Sequence, residues 1–244
     1  MMKSCLISIL VSLASFTTAW GQASGTQVTE TDSTLTLRNS KVRVEFPKGE
    51  AFDISKLTLN GKELVLSKGY NTVPWTLTYK GPQGENPVLF PSHGEYTGWA
   101  KTTKDGHVAI AFKWNMRLTY QDLVPVVMTV SLPGDSELAY WDIQAGTPDG
   151  WLVSNTQFPR ITVTRPDKAK LITSAGWGAE YNLSNPQVYT SSYPSVTGSM
   201  QLLLLHNPDG SVYYATEDRE ACGKDFRAAV GDKSVTLLTD IVAS

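Results

Sequence analysis

Several features that common enzyme classes need are missing from this chain of 244 residues. Its two cysteines, Cys5 and Cys222, are too few for a disulfide framework and do not form a Cys-x-x-Cys pair. The sequence contains no phosphate loop, no complete Gly-x-Gly-x-x-Gly fingerprint, no His-Glu-x-x-His and no Gly-x-Ser-x-Gly. These absences argue against nucleotide-dependent enzymes, zinc proteases and serine esterases.

An excess of charge of one sign is also lacking. The chain has 21 Lys and Arg residues against 23 Asp and Glu residues, a formal net charge of −2. A chain without a positive excess is not expected to bind nucleic acid or an anionic membrane surface. The three histidines, His93, His107 and His206, lie far apart and lack the spacing of metal ligands. We therefore predict neither a metal site nor a cofactor.

The N-terminus has the three-part form of a secretory signal peptide. Lys3 precedes an apolar stretch from residue 5 to residue 16, and three small residues follow between residues 19 and 23. The apolar core is too short to span a bilayer. We predict a signal peptide over residues 1–23 and an exported protein, periplasmic or extracellular, with no membrane association after leader cleavage. The mature chain would then keep a single cysteine and no intrachain disulfide.

Alternation of apolar and polar residues recurs along the rest of the chain, with the period of two that half-buried strands show. The longest example runs from Val108 to Tyr120, and Asn60-Gly61 marks a tight hairpin. The strongest hairpin signal lies between Met200 and Asp218, where two apolar runs flank Asn207-Pro208-Asp209-Gly210. The predicted fold class is all-β, with residues 24–244 forming one large antiparallel β-sandwich.

Tryptophans and a charge cluster are the candidates for a carbohydrate site, because indole rings stack on the C–H faces of sugars. The irregular stretch over residues 83–98 predicts a glycine-containing loop with Trp99 near its end, and Trp177 lies in a second such loop. The charged segment after the main hairpin includes Asp218 and Lys224. Three further tryptophans fall in or beside predicted strands and are expected in the core: Trp75, Trp114 and Trp141. We predict carbohydrate binding by Trp99, Trp177, Asp218 and Lys224, and no catalytic residue.

The order of short motifs resembles a known family. The motifs are Leu35-x-Leu37 with Val42-x-Val44-x-Phe46, Phe158-Pro159, Gly176-Trp177-Gly178, Tyr193-Pro194, Met200-Gln201, Tyr213-Tyr214-Ala215, Asp218 and Lys224-Asp225-Phe226. Together they are similar to the N-terminal β-supersandwich of large bacterial glycoside-hydrolase-like proteins, such as endo-α-N-acetylgalactosaminidase and related α-glycosidases. The resemblance implies a galactose-mutarotase-like fold that precedes a (β/α)₈ barrel, and the barrel carries the catalytic carboxylates.

The resemblance implies a carbohydrate-binding or structural N-terminal module of a secreted glycoside hydrolase of polysaccharide degradation. The module itself would be non-catalytic. Its partners would be a glycan and a (β/α)₈ catalytic domain that is encoded separately or lost by truncation. Two alternatives stay open. A stand-alone aldose epimerase or polysaccharide lyase on the same fold would need a base such as His93, His206 or Tyr214 beside Asp218. A structural fragment without a ligand would show an exposed apolar patch on one sheet.

Overall fold

The structure is almost entirely β. The computed structural model describes residues 9–12, 25–48, 54–65, 73–120, 122–165, 167–175, 178–195, 198–207, 210–218 and 222–242. The helical content of these ranges is one short 3₁₀-helix at Pro91–His93. No helix in this part of the chain is long and apolar enough to cross a bilayer. The predicted all-β class is confirmed.

The largest sheet has nine strands, each antiparallel to its neighbours. In spatial order they are β16 (Ala179–Asn182), β15 (Lys170–Thr173), β18 (Leu202–Asn207), β19 (Gly210–Thr216), β1 (Ile9–Ser12), β12 (Ala139–Ala145), β11 (Leu123–Leu132), β10 (His107–Arg117) and β9 (Gly94–Lys104). The main predicted hairpin is confirmed as β18 and β19, whose register pairs Leu202 with Ala215 and Asn207 with Gly210. The middle of its turn, residues 208 and 209, lies outside the described residues.

A seven-stranded sheet contains the C-terminal strands. Its spatial order is β17 (Gln187–Tyr193), β20 (Lys224–Val230), β21 (Ser234–Val242), β13 (Leu152–Gln157), β7 (Thr76–Lys80) and β8 (Val88–Leu89), and β14 (Ile161–Thr164) pairs with β21 off this path. A five-stranded meander forms the third sheet, from β2 (Gln27–Glu30) through β3 (Thr34–Arg38), β4 (Val42–Pro47) and β5 (Lys56–Leu59) to β6 (Lys62–Val65). The turn between β5 and β6 is the predicted Asn60-Gly61, with positive φ at both residues.

One apolar core joins the three sheets. The ring of Phe46 from the five-stranded sheet lies 4.8 Å from that of Phe112 in the nine-stranded sheet, measured between centroids. Tyr214 of the nine-stranded sheet meets Phe226 of the seven-stranded sheet edge to face. The three tryptophans expected in the core are buried: Trp75, Trp114 and Trp141. Stacked sheets with a shared interior are the arrangement of a sandwich.

The predicted loop before Trp99 is wrong at its C-terminal end. Strand β9 begins at Gly94, so Trp99 lies within a strand. The register between β9 and β10 shifts next to Lys113, so Thr97 is the extra residue of a β-bulge, and Gly98 has a φ of 127°. In the sequence, Gly98 indicates the end of a loop. In the structure it lies inside β9 next to the bulge that bends the strand, and its φ is one that glycine adopts readily and other residues do not.

Strand β1 lies within the predicted signal peptide. It occupies the middle of the nine-stranded sheet, antiparallel to β12 on one side and to β19 on the other. Cys222 is disulfide-bonded in this structure of the full chain. The expectation of no intrachain disulfide concerns the chain after leader cleavage and stays a prediction. The signal peptide itself stays a prediction.

Candidate functional site

A cleft of about 360 Å³ opens where β18 begins and β19 ends. Its lining is Tyr193, Ser199, Met200, Gln201, Leu202, Tyr213, Ala215, Thr216 and Glu217. Strand geometry explains why alternate residues of β19 line the cleft, because successive side chains point to opposite faces of a sheet. Tyr213, Ala215 and Glu217 face the cleft, while Tyr214 is completely buried in the core; Thr216, at the end of the strand, lines the cleft as well.

Two tyrosines and one carboxylate give the cleft its chemical character. Tyr193 and Tyr213 are both half-buried, and Glu217 is exposed. Burial raises the pKa of Tyr213, and the negative charge of Glu217 adds to that increase. The pKa of Tyr140, on β12, is raised by the same two causes in the same order. The Glu217 carboxylate therefore acts on tyrosines of both β12 and β19, and both phenols stay protonated at neutral pH.

Gln201 connects the cleft to a polar network beneath it. Its Oε1 accepts a hydrogen bond of 2.5 Å from Thr216 Oγ1 and one of 2.9 Å from Lys224 Nζ. Its Nε2 donates to the backbone oxygen of Asp218 at 2.9 Å. Three hydrogen bonds to one amide hold the side chain in a single orientation. The floor of the cleft is therefore rigid.

Asp218 and Lys224 form a buried ion pair below this floor. The Lys224 Nζ lies 2.5 Å from Asp218 Oδ2, and the two side chains are 0% and 2% exposed. The same carboxylate oxygen accepts a hydrogen bond of 2.6 Å from the backbone N–H of Cys222. Burial lowers the pKa of Lys224, and the bond to Asp218 opposes this shift. The pair ties the end of β19 to the start of β20.

The aromatic ring of Tyr193 packs over the ammonium group of Lys224. The ring centroid lies 5.2 Å from Lys224 Nζ, within the range of a cation–π contact. The chain then turns, and Ser195 and Gly198 exchange backbone hydrogen bonds. Ser174 Oγ donates to the backbone oxygen of Met200 at 2.7 Å, which fixes the rim that follows the turn.

The structure brings two of the four predicted carbohydrate residues together, but not in an exposed position. Asp218 and Lys224 are in contact, buried and bonded to each other. Trp99 is half-buried on β9 and packs against the core. Trp177 lies outside the described residues. Carbohydrate binding by these four residues stays a prediction, and the geometry makes the Asp218–Lys224 pair a support of the cleft.

Sequence reasoning missed the residues that line the cleft. Tyr193, Gln201 and Tyr213 stand inside motifs that carry the family resemblance, although no site was predicted there. One available signal was the alternation after Val212, which separates Tyr213 and Glu217 from the buried Tyr214. Nothing in the sequence placed Tyr193 beside them, because β17 and β19 belong to different sheets.

Two of the residues named for the alternative enzyme, Tyr214 and Asp218, are buried. Tyr214 is fully buried, and its hydroxyl donates to the backbone oxygen of Pro159 at 2.8 Å and accepts from Thr239 Oγ1 at 3.1 Å. His206 is exposed and bonds Ser211 at 2.7 Å. His93 belongs to the 3₁₀-helix. A buried tyrosine and a buried Asp218 cannot reach a substrate in solvent. In the described residues, no group of three or more His, Cys, Asp or Glu is arranged to hold a metal.

Comparison with known proteins gives one clear sequence relative. No protein-family model matches the chain. A protein of Bacteroides thetaiotaomicron named "Putative glycoside hydrolase" is 39% identical over 240 residues, which are 98% of this chain and 35% of that protein. A 4-alpha-glucanotransferase from Thermococcus litoralis superposes with a TM-score of 0.45 at 9% identity, over 91% of this chain and 38% of that one. The chain is thus similar to a part, about a third in length, of its curated relative.

Proposed function

We propose that this chain is a non-catalytic, carbohydrate-binding β-sandwich module of an exported glycoside hydrolase. The name of the Bacteroides relative supports a carbohydrate-related role, and the relative's greater length supports a module that works beside further domains. In this proposal the fold is galactose-mutarotase-like, as in endo-α-N-acetylgalactosaminidase, and the catalytic carboxylates belong to a (β/α)₈ barrel outside this chain.

The observation that carries the proposal is the pairing of Tyr193 and Tyr213 with Gln201 and Glu217 around one rigid cleft. Aromatic rings provide flat apolar surfaces for the C–H faces of a sugar. A carboxylate accepts hydrogen bonds from sugar hydroxyls, and the second N–H of the Gln201 amide is suited to donate one. Such a mixture of apolar surface and a few polar groups is typical of small-ligand sites.

The number of carboxylates in the cleft favours sugar binding over hydrolysis. Glycoside hydrolysis uses two carboxyl groups on opposite sides of the scissile bond, about 5 to 10 Å apart. Among the described residues that line the cleft, Glu217 is the one carboxylate. Asp218 follows it in sequence but lies under the floor, paired with Lys224. A ligand in the cleft therefore meets one carboxylate, which can bind it but has no partner there for acid–base chemistry.

The test is oligosaccharide binding on a glycan array, followed by calorimetric titration of the best ligand. Tyr213→Ala is expected to weaken binding about ten-fold, equivalent to about 1.4 kcal/mol of lost contact. Tyr120→Ala is the matched control, because Tyr120 is 92% exposed in the turn between β10 and β11. Trp99→Ala and Trp177→Ala test the residues predicted from sequence. Folded protein that binds no glycan, or equal binding by Tyr213→Ala and wild type, would contradict the proposal.

A further inference from the structure

A single residue supplies the charge of the cleft. Among the described residues that line it, Glu217 is the one Asp or Glu, and none is Lys, Arg or His. Glu217 is exposed. Exposed glutamates elsewhere, such as Glu63 and Glu180, form ion pairs with lysines, whereas within the described ranges no cation pairs with Glu217. The cleft therefore presents one negative charge to a ligand, without a counter-charge.

The lysine beneath the floor of the cleft does not offset this charge. Lys224 Nζ donates to Asp218 Oδ2 at 2.5 Å and to Gln201 Oε1 at 2.9 Å. The side chains of Lys224 and Asp218 are 0% and 2% exposed. A positive and a negative charge in direct contact largely cancel at a distance. A ligand in the cleft therefore meets the charge of Glu217 and not that of Lys224.

The aromatic rings of the cleft have the same preference for charge as Glu217. The face of an aromatic ring carries partial negative charge, which attracts cations and repels anions. Tyr193 already uses this property, because its ring contacts the Lys224 ammonium group. The charge of Glu217 also reaches across the sheet, since after burial it is the second cause that raises the pKa of Tyr213 on β19 and of Tyr140 on β12. Carboxylate and rings thus act on a charged ligand with the same sign.

We propose that the cleft selects sugars by charge, with amine-bearing sugars bound most tightly, neutral sugars less tightly and uronic acids least, and that Glu217 sets this order. The inference rests on the proposed function, because it names the class of sugar that the cleft binds. The cleft volume of about 360 Å³ is at the small end of ligand pockets, about 300 to 1,000 Å³. A ligand of one or a few sugar units is therefore expected, with its amine beside Glu217.

The experiment uses the full chain and six sugars that differ in charge at a fixed ring configuration. They are galactosamine, galactose and galacturonate, and their gluco counterparts glucosamine, glucose and glucuronate. Ligand-observed NMR titration gives the dissociation constants at about pH 6, where the amines are protonated and the uronates are ionised. In wild type each step of charge is expected to change affinity about three-fold, and the uronate is expected to bind about ten-fold more weakly than the amine.

Glu217→Gln tests the assignment to this residue. The amine-to-uronate ratio of affinities is expected to fall to about one, while the neutral sugar changes less, because the amide oxygen still accepts a hydrogen bond. Glu95→Gln is the matched control, since Glu95 is exposed on the edge strand β9 and the same net charge is removed. It is expected to keep the wild-type ratio. Added salt should also lower the ratio in wild type, because exposed charges are screened.

The outcomes separate this inference from the proposed function. Sugar binding without a charge order in wild type, or an order that Glu217→Gln keeps, would overturn charge selection and leave sugar binding in place. A ratio that does not respond to salt would overturn it as well, and this measurement needs no variant. Folded wild-type protein that binds none of the six sugars would contradict the proposed function itself, and charge selection with it.

Discussion

Among single residues, Lys224 constrains the cleft most strongly. Its ammonium group is fully buried and meets Asp218, Gln201 and the ring of Tyr193. Taking both charges of this pair out of water has a large desolvation cost, which their close contact offsets only while both partners are present. The pair therefore fixes the geometry of the strand end but adds little to the net free energy of folding.

Removing one partner of this pair should be far more harmful than removing both. We expect Lys224→Met to lower the free energy of unfolding by about 3 to 5 kcal/mol, because Asp218 is left buried and charged. The double variant with Asp218→Asn should recover a large part of that loss. Urea unfolding measures both values.

The control is Lys170→Met, which breaks the ion pair of Lys170 with Glu180, whose side chains are 40% and 52% exposed. Its expected loss is below about 1 kcal/mol. Equal losses at Lys170 and Lys224 would contradict the burial argument, as would a double variant no more stable than Lys224→Met.

At the scale of elements, the turn between β17 and β18 sets the rim of the cleft. Gly198 passes so close to the preceding strand end that a Cβ built on it would overlap the backbone carbonyl group of Ser192, well inside van der Waals contact. Backbone atoms cannot move aside as a flexible side chain can. The turn therefore depends on glycine here for space, since its φ is not in the left-handed region.

Gly198→Ala is expected to lower the free energy of unfolding by about 1 to 3 kcal/mol through overpacking. The same change should weaken glycan binding, because Met200 and Gln201 follow within three residues. Gly223→Ala is the matched control, since a Cβ there has no heavy atom within 4 Å. Thermal melting and titration with the same glycan measure both effects. A neutral Gly198→Ala would show that the turn moves freely and does not fix the rim.

For the whole molecule, buried tyrosines connect one sheet to another. Tyr79 on β7 donates a hydrogen bond of 2.8 Å to the backbone oxygen of Gly146, which follows β12. Burial raises the pKa of Tyr79 to about 12. Burial and the charge of Glu30 raise the pKa of Tyr96 to about 12 as well. These phenols resist ionisation in the folded protein more than in the unfolded chain.

Alkaline pH should therefore unfold the sandwich. A tyrosine whose folded pKa is about 12 and whose unfolded pKa is 10.0 contributes stability that is complete below pH 10 and is lost as the pH rises to about 12. For Tyr79 this loss is roughly 2 to 3 kcal/mol. Urea unfolding between pH 9 and pH 12 should show a shallower decline in Tyr79→Phe than in wild type. The exposed control Tyr120→Phe should keep the wild-type slope, and an unchanged slope in Tyr79→Phe would contradict the argument.

The sequence by itself determined the all-β class, the main hairpin and the tryptophan core. Alternation is a local signal, because each residue of a strand and the one two positions later face the same side. The apolar residues Phe112, Trp114 and Met116 therefore indicate a buried face, whichever strands pack against it. The turn at Asn60-Gly61 is equally local, because its positive φ angles favour those residue types. The same reasoning failed at Gly98, because the bulge at the neighbouring Thr97 depends on the register with β10.

Only the tertiary structure decided what surrounds the cleft and which strands lie beside β1. Gln201, Asp218 and Lys224 meet through hydrogen bonds between segments that separate strands bring together. β1 lies beside β12 and β19, well over one hundred residues away in sequence. Local periodicity reports whether a face is buried but not which strand lies next to it. Strand neighbours follow from the combined packing of all three sheets, and the cleft exists only where those sheets meet.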